Sequence, residues 1–191
     1  MSRFAATNDS SASEDEQLAR SAINQAWGGV PNLGAVLALS LPLTRAVLAF
    51  DAALEGGSLS ARVVEQLAIA VSEKNRCAYC LAAHTAAARS VGVSAADIAS
   101  ARIGQATDAK TAAALRFAQQ VVGSRGFVSD SELAAVRADG WRDAEILEIV
   151  GHALATTLSN YVHHISEVEI DYPAVPFAAA ESAVTQLEHR P

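Results

Sequence analysis

The feature that most restricts the fold of this chain is a helical repeat of apolar residues, without any alternating run of strand length. Between Leu59 and Ser72 the apolar side chains recur on one face of a helix, at positions 63, 64, 67, 68 and 71. Hydrophobic residues make up 51% of the chain and aromatic residues only 5%, which is typical of closely packed helices rather than strands. The sequence therefore predicts an all-α fold.

Local signals divide the chain into segments. Ser60 is a good N-cap, and Ser94 and Ser129 each precede an acid by three residues, as at a helix start. The polar run 73–76 interrupts the helix that follows Ser60 and predicts a bend near Asn75. Other helices are predicted over 14–27, from the turn at 30–32 to about 41, from 42 to 55, from 107 or 108 to 122, and from 143 to about 165.

The length of 191 residues fits one domain with short extensions. We expect a disordered lead over 1–13, where serine and acidic residues are frequent. A single all-helical domain should cover 14–175, followed by an alanine-rich tail over 176–191 with weak structural signals.

Charge and hydropathy argue against nucleic-acid binding and against a membrane-spanning segment. The net charge is −7 and no basic patch is present, which argues against nucleic-acid binding. The longest apolar stretch, 30–54, contains two prolines and two charged residues, which excludes a membrane span. Because the first residues also lack the apolar core of a signal peptide, we expect a cytoplasmic location.

Both cysteines lie in one run, Glu65-x11-Cys77-Ala78-Tyr79-Cys80-x3-His84. On a helix, Cys77, Cys80 and His84 share one face, and the two cysteine Cα atoms are about 5 Å apart, within the reach of a disulfide. His84 follows Cys80 by one turn, so its imidazole can accept a thiol proton or pair with a thiolate. A carboxylate behind the ring can hold it in position.

The predicted bend decides whether Glu65 belongs to this group. In a straight helix Glu65 would lie about 18 Å from Cys77 along the axis. A bend near Asn75 would fold the two helices together and bring the carboxylate inward. It would also place Cys77 in the first turn of a new helix, where free N–H groups and the helix dipole favour a thiolate.

A second stretch echoes this spacing. Glu148-x11-Asn160-Tyr161-Val162-His163 aligns with Glu65-x11-Cys77-Ala78-Tyr79-Cys80 at a constant offset. Two helical hairpins of common origin would explain the echo, and so would chance similarity between amphipathic helices.

The cysteine run resembles the alkylhydroperoxidase D-like branch of the carboxymuconolactone decarboxylase superfamily, particularly its peroxidase-related members. The resemblance spans roughly residues 25–175. It includes Gly29-Val30-Pro31-Asn32, Gly140-Trp141-Arg142-Asp143-Ala144-Glu145-Ile146, Asn160-Tyr161-Val162-His163-His164 and Asp171-Tyr172-Pro173.

The resemblance implies an all-helical fold, assembly into homotrimers or homohexamers, and thiol-dependent reduction of hydroperoxides by an external dithiol or a reductase protein. It implies that Cys80 is the reacting thiol, that Cys77 is its disulfide partner, and that His84 and Glu65 form a proton relay. The apolar stretches 35–50 and 146–158 also favour an oligomer. In one departure, Tyr79 stands where the best-known members carry a histidine, so one relay group is missing. We expect no cofactor and no bound metal.

Other interpretations of these residues stay open. Cys77 and Cys80 can be small buried residues, or they can hold zinc with His84 and with His163 or His164. His84 can be an ordinary core histidine, and Glu65 can lie on a solvated face. Which cysteine attacks is also open, since the helix start favours Cys77 and the imidazole favours Cys80.

The fold implied by the resemblance is compatible with two other functions. One is a lyase that acts on a small lactone acid, although the decarboxylase branch does not depend on a cysteine pair. The other is a non-enzymatic redox sensor, whose thiols control assembly.

Overall fold

The computed structural model describes residues 2–4 and 11–178, and within these ranges the chain is built from α-helices without strands. This confirms the predicted all-α fold. None of the described helices is both long and apolar enough to cross a bilayer. The helices are α1 (Glu14–Trp27), α2 (Asn32–Leu37), α3 (Leu41–Glu55), α4 (Ala61–Lys74), α5 (Ala78–Ser90), α6 (Ala95–Ala101), α7 (Ala109–Ser124), α8 (Asp130–Ala138) and α9 (Asp143–Ser166).

Side-chain caps begin most of these helices where the sequence predicts. The hydroxyls of Ser60 and Ser94 accept from the backbone N–H groups of Val63 and Asp97, and Ser129 forms a complete capping box with Glu132. The prediction was wrong for α2, which ends at Leu37 rather than near Leu41. Backbone bonds of a tight turn, from Leu39 and Ser40 back to residues 36 and 37, close it.

Helix α4 is the centre of the molecule, because its second half is buried on every side. Residues 66–73 are all buried, and α5, α7 and α9 pack around them. Leu67, Ile69 and Val71 are at most 1% exposed. Burying each of these side chains contributes roughly 1.5–3 kcal/mol of transfer free energy. The neighbouring helices are therefore held in place mainly by their packing against α4.

The predicted bend is confirmed, and it consists of a single left-handed residue between α4 and α5. Arg76 has φ +58°, its N–H donates to the Glu73 carbonyl, and the Cys77 N–H donates to the Ser72 carbonyl. This pair of bonds is a Schellman closure of α4. Cys77 is then also the N-cap of α5, so one helix begins where the other ends.

Helix α9 continues without a break from Asp143 to Ser166 and supports both ends of α4. Glu148 accepts from the backbone N–H and the hydroxyl of Ser58, each at 2.8 Å. Asn160, which is fully buried, accepts at 2.9 Å from the side-chain amide of Asn75. The echo in the sequence would need a second hairpin here, and the continuous helix gives it no structural support.

The described parts of both ends contact the helical domain. The Arg3 N–H donates at 2.7 Å to the Ser166 carbonyl at the end of α9. At the other end, the Ala178 N–H donates to the buried carboxylate of Glu73, which also binds Arg102 at 2.8 Å. The remainder of the predicted lead, positions 1 and 5–10, and the tail from 179 to 191 lie outside the described residues.

Candidate active site

The two cysteines form a buried pair at the start of α5. Their Sγ atoms are 2.8 Å apart, and the Cys80 N–H also donates to the Cys77 sulfur at 3.3 Å. Cys77 is 0% exposed and Cys80 is 2% exposed. Both are free thiols. Because sulfur caps the helix here, the N-terminal N–H groups of α5 stabilise negative charge on Cys77.

This geometry makes the two thiols unequal. The hydrogen bond from the Cys80 thiol lowers the pKa of Cys77, outweighing the opposing effect of burial. The same bond, together with burial, raises the pKa of Cys80. A thiolate in the resting pair is therefore centred on Cys77, with the remaining proton on Cys80.

Glu65 and His84 lie together, as the bend predicts. The Nδ1 atom of His84 is 2.9 Å from Oε2 of Glu65, joining α5 to α4. The side chain of His84 is 30% exposed and that of Glu65 is 20% exposed. Burial alone would lower the pKa of His84, but the hydrogen bond and charge of Glu65 outweigh it and raise that pKa. The ring can therefore hold a proton close to the sulfurs.

These groups share a cavity of about 770 Å³. Cys80, Glu65 and His84 lie in its wall, whereas Cys77 lies behind Cys80 and outside the lining. The structure thus brings all four predicted residues together but presents only one sulfur to the cavity. A separate cavity of about 200 Å³ between α7 and α8 contains none of them.

Several titratable residues of this cavity were not singled out as site residues from the sequence, and Asp51 and His152 are two of them. Asp51, on α3, lies in the wall, and burial and then the charge of Glu55 raise its pKa. His152, on α9, also lies in the wall. Neither carries a motif, and only the packing of α3 and α9 against α4 and α5 brings them here.

Asn160 also contributes to the site, from beneath the sulfurs. Its side chain hydrogen-bonds Cys80, an effect that lowers the pKa of that thiol against the stronger opposing ones. Its amide nitrogen is also 3.5 Å from the Ser72 hydroxyl. Asn160 lies within a stretch of the sequence that carries the family resemblance.

Tyr79, which stands in place of the family histidine, ties three segments together. Its hydroxyl donates to Asp171 at 2.6 Å and accepts from the Leu33 N–H at 3.1 Å. The other Asp171 oxygen accepts from the Asn32 N–H at 2.8 Å. Burial and then the bond to Asp171 raise the pKa of Tyr79, so its phenol stays protonated. Tyr79 is therefore a structural residue beside the thiols and supplies no base.

The described residues contain no group of side chains that supports the alternative of a bound zinc ion. In residues 2–4 and 11–178, no three His, Cys, Asp or Glu side chains are grouped to hold an ion. His163 packs on the Tyr79 ring, with centroids 5.3 Å apart, and His164 packs on Tyr161. Both imidazoles thus pack against tyrosine rings.

Residues 42–123 match the sequence model of the carboxymuconolactone decarboxylase family. No curated protein matches the chain in sequence.

Solved structures share the fold. An alkylhydroperoxidase AhpD core, an uncharacterized peroxidase-related protein from Ralstonia eutropha JMP134, superimposes with a TM-score of 0.77 at 24% identity, covering 89% of this chain and 92% of the other. A peroxidase-related protein from Silicibacter sp. TM1040 gives 0.71 at 23% identity, covering 87% and 89%. The debrominase Bmp8, as a cysteine-to-alanine variant in complex with 2,3,4-tribromopyrrole, gives 0.70 at 18% identity, covering 86% and 89%. At these identities the similarity establishes a common fold.

Proposed function

We propose that this chain, which matches the carboxymuconolactone decarboxylase family over residues 42–123 and shares the fold of an alkylhydroperoxidase AhpD core, is a thiol-dependent hydroperoxide reductase. These similarities support a peroxidase-related or a decarboxylase-like role. The observation that favours the first is the sulfur pair, 2.8 Å apart, beside a cavity that also holds the bonded Glu65 and His84.

In the first step Cys80 attacks the substrate, because it is the cysteine that reaches the cavity. Its proton passes across the sulfur contact to Cys77, which leaves the thiolate on Cys80. That thiolate attacks the terminal oxygen of the hydroperoxide and the O–O bond breaks. Cys80 becomes a sulfenic acid, and the alkoxide leaves with a proton to give the alcohol.

The leaving alkoxide needs an acid, and His84 supplies it. Glu65 raises the pKa of the ring, so His84 holds a proton that it can deliver to the departing oxygen. The carboxylate also fixes which ring nitrogen faces α4. In this proposal Glu65 is a positioning residue and does not touch the substrate.

In the second step the Cys77 thiol condenses with the sulfenic acid, forming the Cys77–Cys80 disulfide and releasing water. An external dithiol then reduces this disulfide by thiol exchange and is itself oxidised. The overall reaction converts one hydroperoxide and one dithiol into an alcohol, water and a disulfide. Because Cys77 is already in contact, the sulfenic acid is captured before further oxidation.

A turnover assay tests the function. The protein is mixed with an organic hydroperoxide and a small dithiol such as dithiothreitol, and peroxide loss is followed over many equivalents. Sustained consumption supports the reductase. A single stoichiometric burst in the presence of dithiol supports the redox sensor instead, and two thiols that survive peroxide unchanged support the lyase.

A homo-oligomer is part of this proposal. One face of α9 carries large apolar residues at heptad spacing that are exposed in the single chain: Leu147, Leu154, Leu158, Tyr161 and Ile165. A second copy would cover this stripe. Light scattering tests it, because a mass equal to the 19.8 kDa chain would contradict assembly.

A further inference from the structure

The cavity around Cys80 has an uneven distribution of charge. Four carboxylate residues line it, and no lysine or arginine is found among the described residues of the wall. Glu65 is paired with His84. The other three carboxylates, on Asp51, Glu55 and Asp171, have no cationic side chain of Lys or Arg across the cavity from them.

The imidazoles of the wall do not reverse this charge. His84 is held against Glu65, so the two charges of that pair cancel. His152 is only 8% exposed, and burial lowers its pKa, which favours the neutral ring. Its Nε2 atom has no hydrogen-bond partner among the described residues and is a free polar group beside the cavity. The wall therefore carries an excess of acidic over basic side chains.

The rest of the wall is apolar and roomy. Trp27, Val30, Leu33, Val64 and Tyr172 contribute large side chains, and small residues of α5 and α9 fill the remainder. A volume of about 770 Å³ lies within the range of sites that enclose drug-sized ligands. Hydrogen peroxide alone would leave most of this apolar surface against water.

We propose that the cavity selects uncharged organic hydroperoxides with a bulky apolar group and rejects those that carry a carboxylate, an inference that rests on the proposed function. An anionic group entering the cavity would lose its hydration without gaining a cationic partner. It would also share the cavity with the carboxylates of Asp51 and Glu55, and like charges repel. The reaction is unchanged: the hydroperoxide becomes the alcohol, a dithiol is oxidised, and water is released.

A matched pair of substrates tests the selectivity. Cumene hydroperoxide carrying a para carboxylate and the methyl ester of the same compound differ in charge but hardly in bulk. At neutral pH we expect kcat/KM to favour the ester by about tenfold or more. Equal values for the two compounds, with turnover present, would overturn the inference and leave the reductase intact.

Two variants connect the preference to the wall. In the double variant Asp51→Asn/Glu55→Gln the ratio should fall several-fold toward one, because two of the repelling charges are removed. The control Glu14→Gln/Asp130→Asn removes the same charge from exposed helix starts outside the cavity and should keep the parent ratio. If the cavity variant kept the parent ratio of kcat/KM for ester over carboxylate, Asp51 and Glu55 would not be the residues that reject the anionic substrate.

Binding separates this inference from the reductase itself. The product alcohols of the same two compounds are titrated against the unmodified protein, and the fluorescence of Trp27, which lines the cavity, reports occupancy. The ester alcohol should bind at least several-fold more tightly than the carboxylate. If neither hydroperoxide is turned over but the ester alcohol still binds preferentially, the reductase is wrong and the selectivity of the cavity stands. Equal dissociation constants would overturn the selectivity.

Discussion

The α4–α5 hairpin and helix α9 carry the same glutamate spacing, yet one of them folds back and the other runs straight. In the hairpin the chain reverses at Arg76, and Glu65 lies 2.9 Å from His84 on the returning helix. Along α9, Glu148 and Asn160 stay about 18 Å apart, as the rise of an unbroken helix requires. A single left-handed residue separates the two outcomes.

The difference gives the two regions different tasks. The hairpin gathers titratable groups around a sulfur pair, while α9 uses its aligned residues as supports, with Glu148 at the start of α4 and Asn160 at its end. Substitutions in the hairpin should therefore change the reaction rate, and the matched substitutions on α9 should change stability.

The largest effect is expected for Cys80→Ser. A serine hydroxyl is not ionised near neutral pH and cannot take the place of the thiolate, so hydroperoxide consumption should fall to the rate of buffer alone. Without dithiol, Cys77→Ser should instead consume about one equivalent of hydroperoxide and stop, because no second thiol of the protein closes the disulfide. Peroxide assays with and without dithiol distinguish the two. Parent turnover in Cys80→Ser would contradict the assignment.

Glu65→Gln should lower kcat/KM by about 10²-fold, because His84 loses the carboxylate that raises its pKa against burial. The imidazolium then deprotonates at lower pH, so the high-pH limb of the rate profile should move to lower pH. Glu148→Gln is the matched change on α9 and should leave the profile in place. If the two variants gave the same pH–rate profile, the claim that the hairpin controls the reaction while α9 only supports the fold would be contradicted.

Asn160→Leu tests the support given by α9. The substitution keeps the branched shape of the side chain but removes the oxygen that accepts from the half-buried amide of Asn75, which should cost about 1–3 kcal/mol in the free energy of unfolding. Urea denaturation measures the loss. Ser159→Ala, at the neighbouring half-buried position, should stay within about 0.5 kcal/mol of the parent. Equal stability of the two variants would show that the amide pair does not hold the bend.

The smallest effect concerns the bend itself. Arg76→Gly and Arg76→Ala both remove the guanidinium from the Phe177 ring and from Glu73, but only glycine adopts φ +58° without a Cβ penalty. The glycine variant should be more stable than the alanine variant by about 1 kcal/mol. Thermal or urea unfolding of the pair isolates this difference. Equal midpoints would mean that the backbone relaxes elsewhere.

The sequence predicted those features that depend on neighbours along the chain. Serine caps and the polar run before Cys77 are local signals, so most helix bounds and the bend followed from them. The meeting of Glu65 with His84 followed from the bend, because it needs only two consecutive helices. The predicted disulfide chemistry and the attacking cysteine stay predictions.

Features that depend on distant segments were not predicted. Asp51 and His152 reach the cavity from α3 and α9, and no spacing in the sequence connects them to Cys80. The role of Tyr79 depends on Asp171, a residue beyond the end of α9, so the sequence showed only that a histidine was missing. Packing of elements far apart in the chain determines all three.

The central claim is that the bend turns two thiols into a reacting pair in which Cys80 meets the peroxide and Cys77 closes the disulfide. Mass spectrometry after one equivalent of cumene hydroperoxide, with a sulfenic-acid trap, tests it in the parent and in each single cysteine variant. We predict a Cys77–Cys80 disulfide in the parent, a trapped sulfenic acid on Cys80 in Cys77→Ser, and an unmodified Cys77 in Cys80→Ser. Rapid oxidation of Cys77 in the variant that lacks Cys80, or two free thiols in the treated parent, would contradict the account.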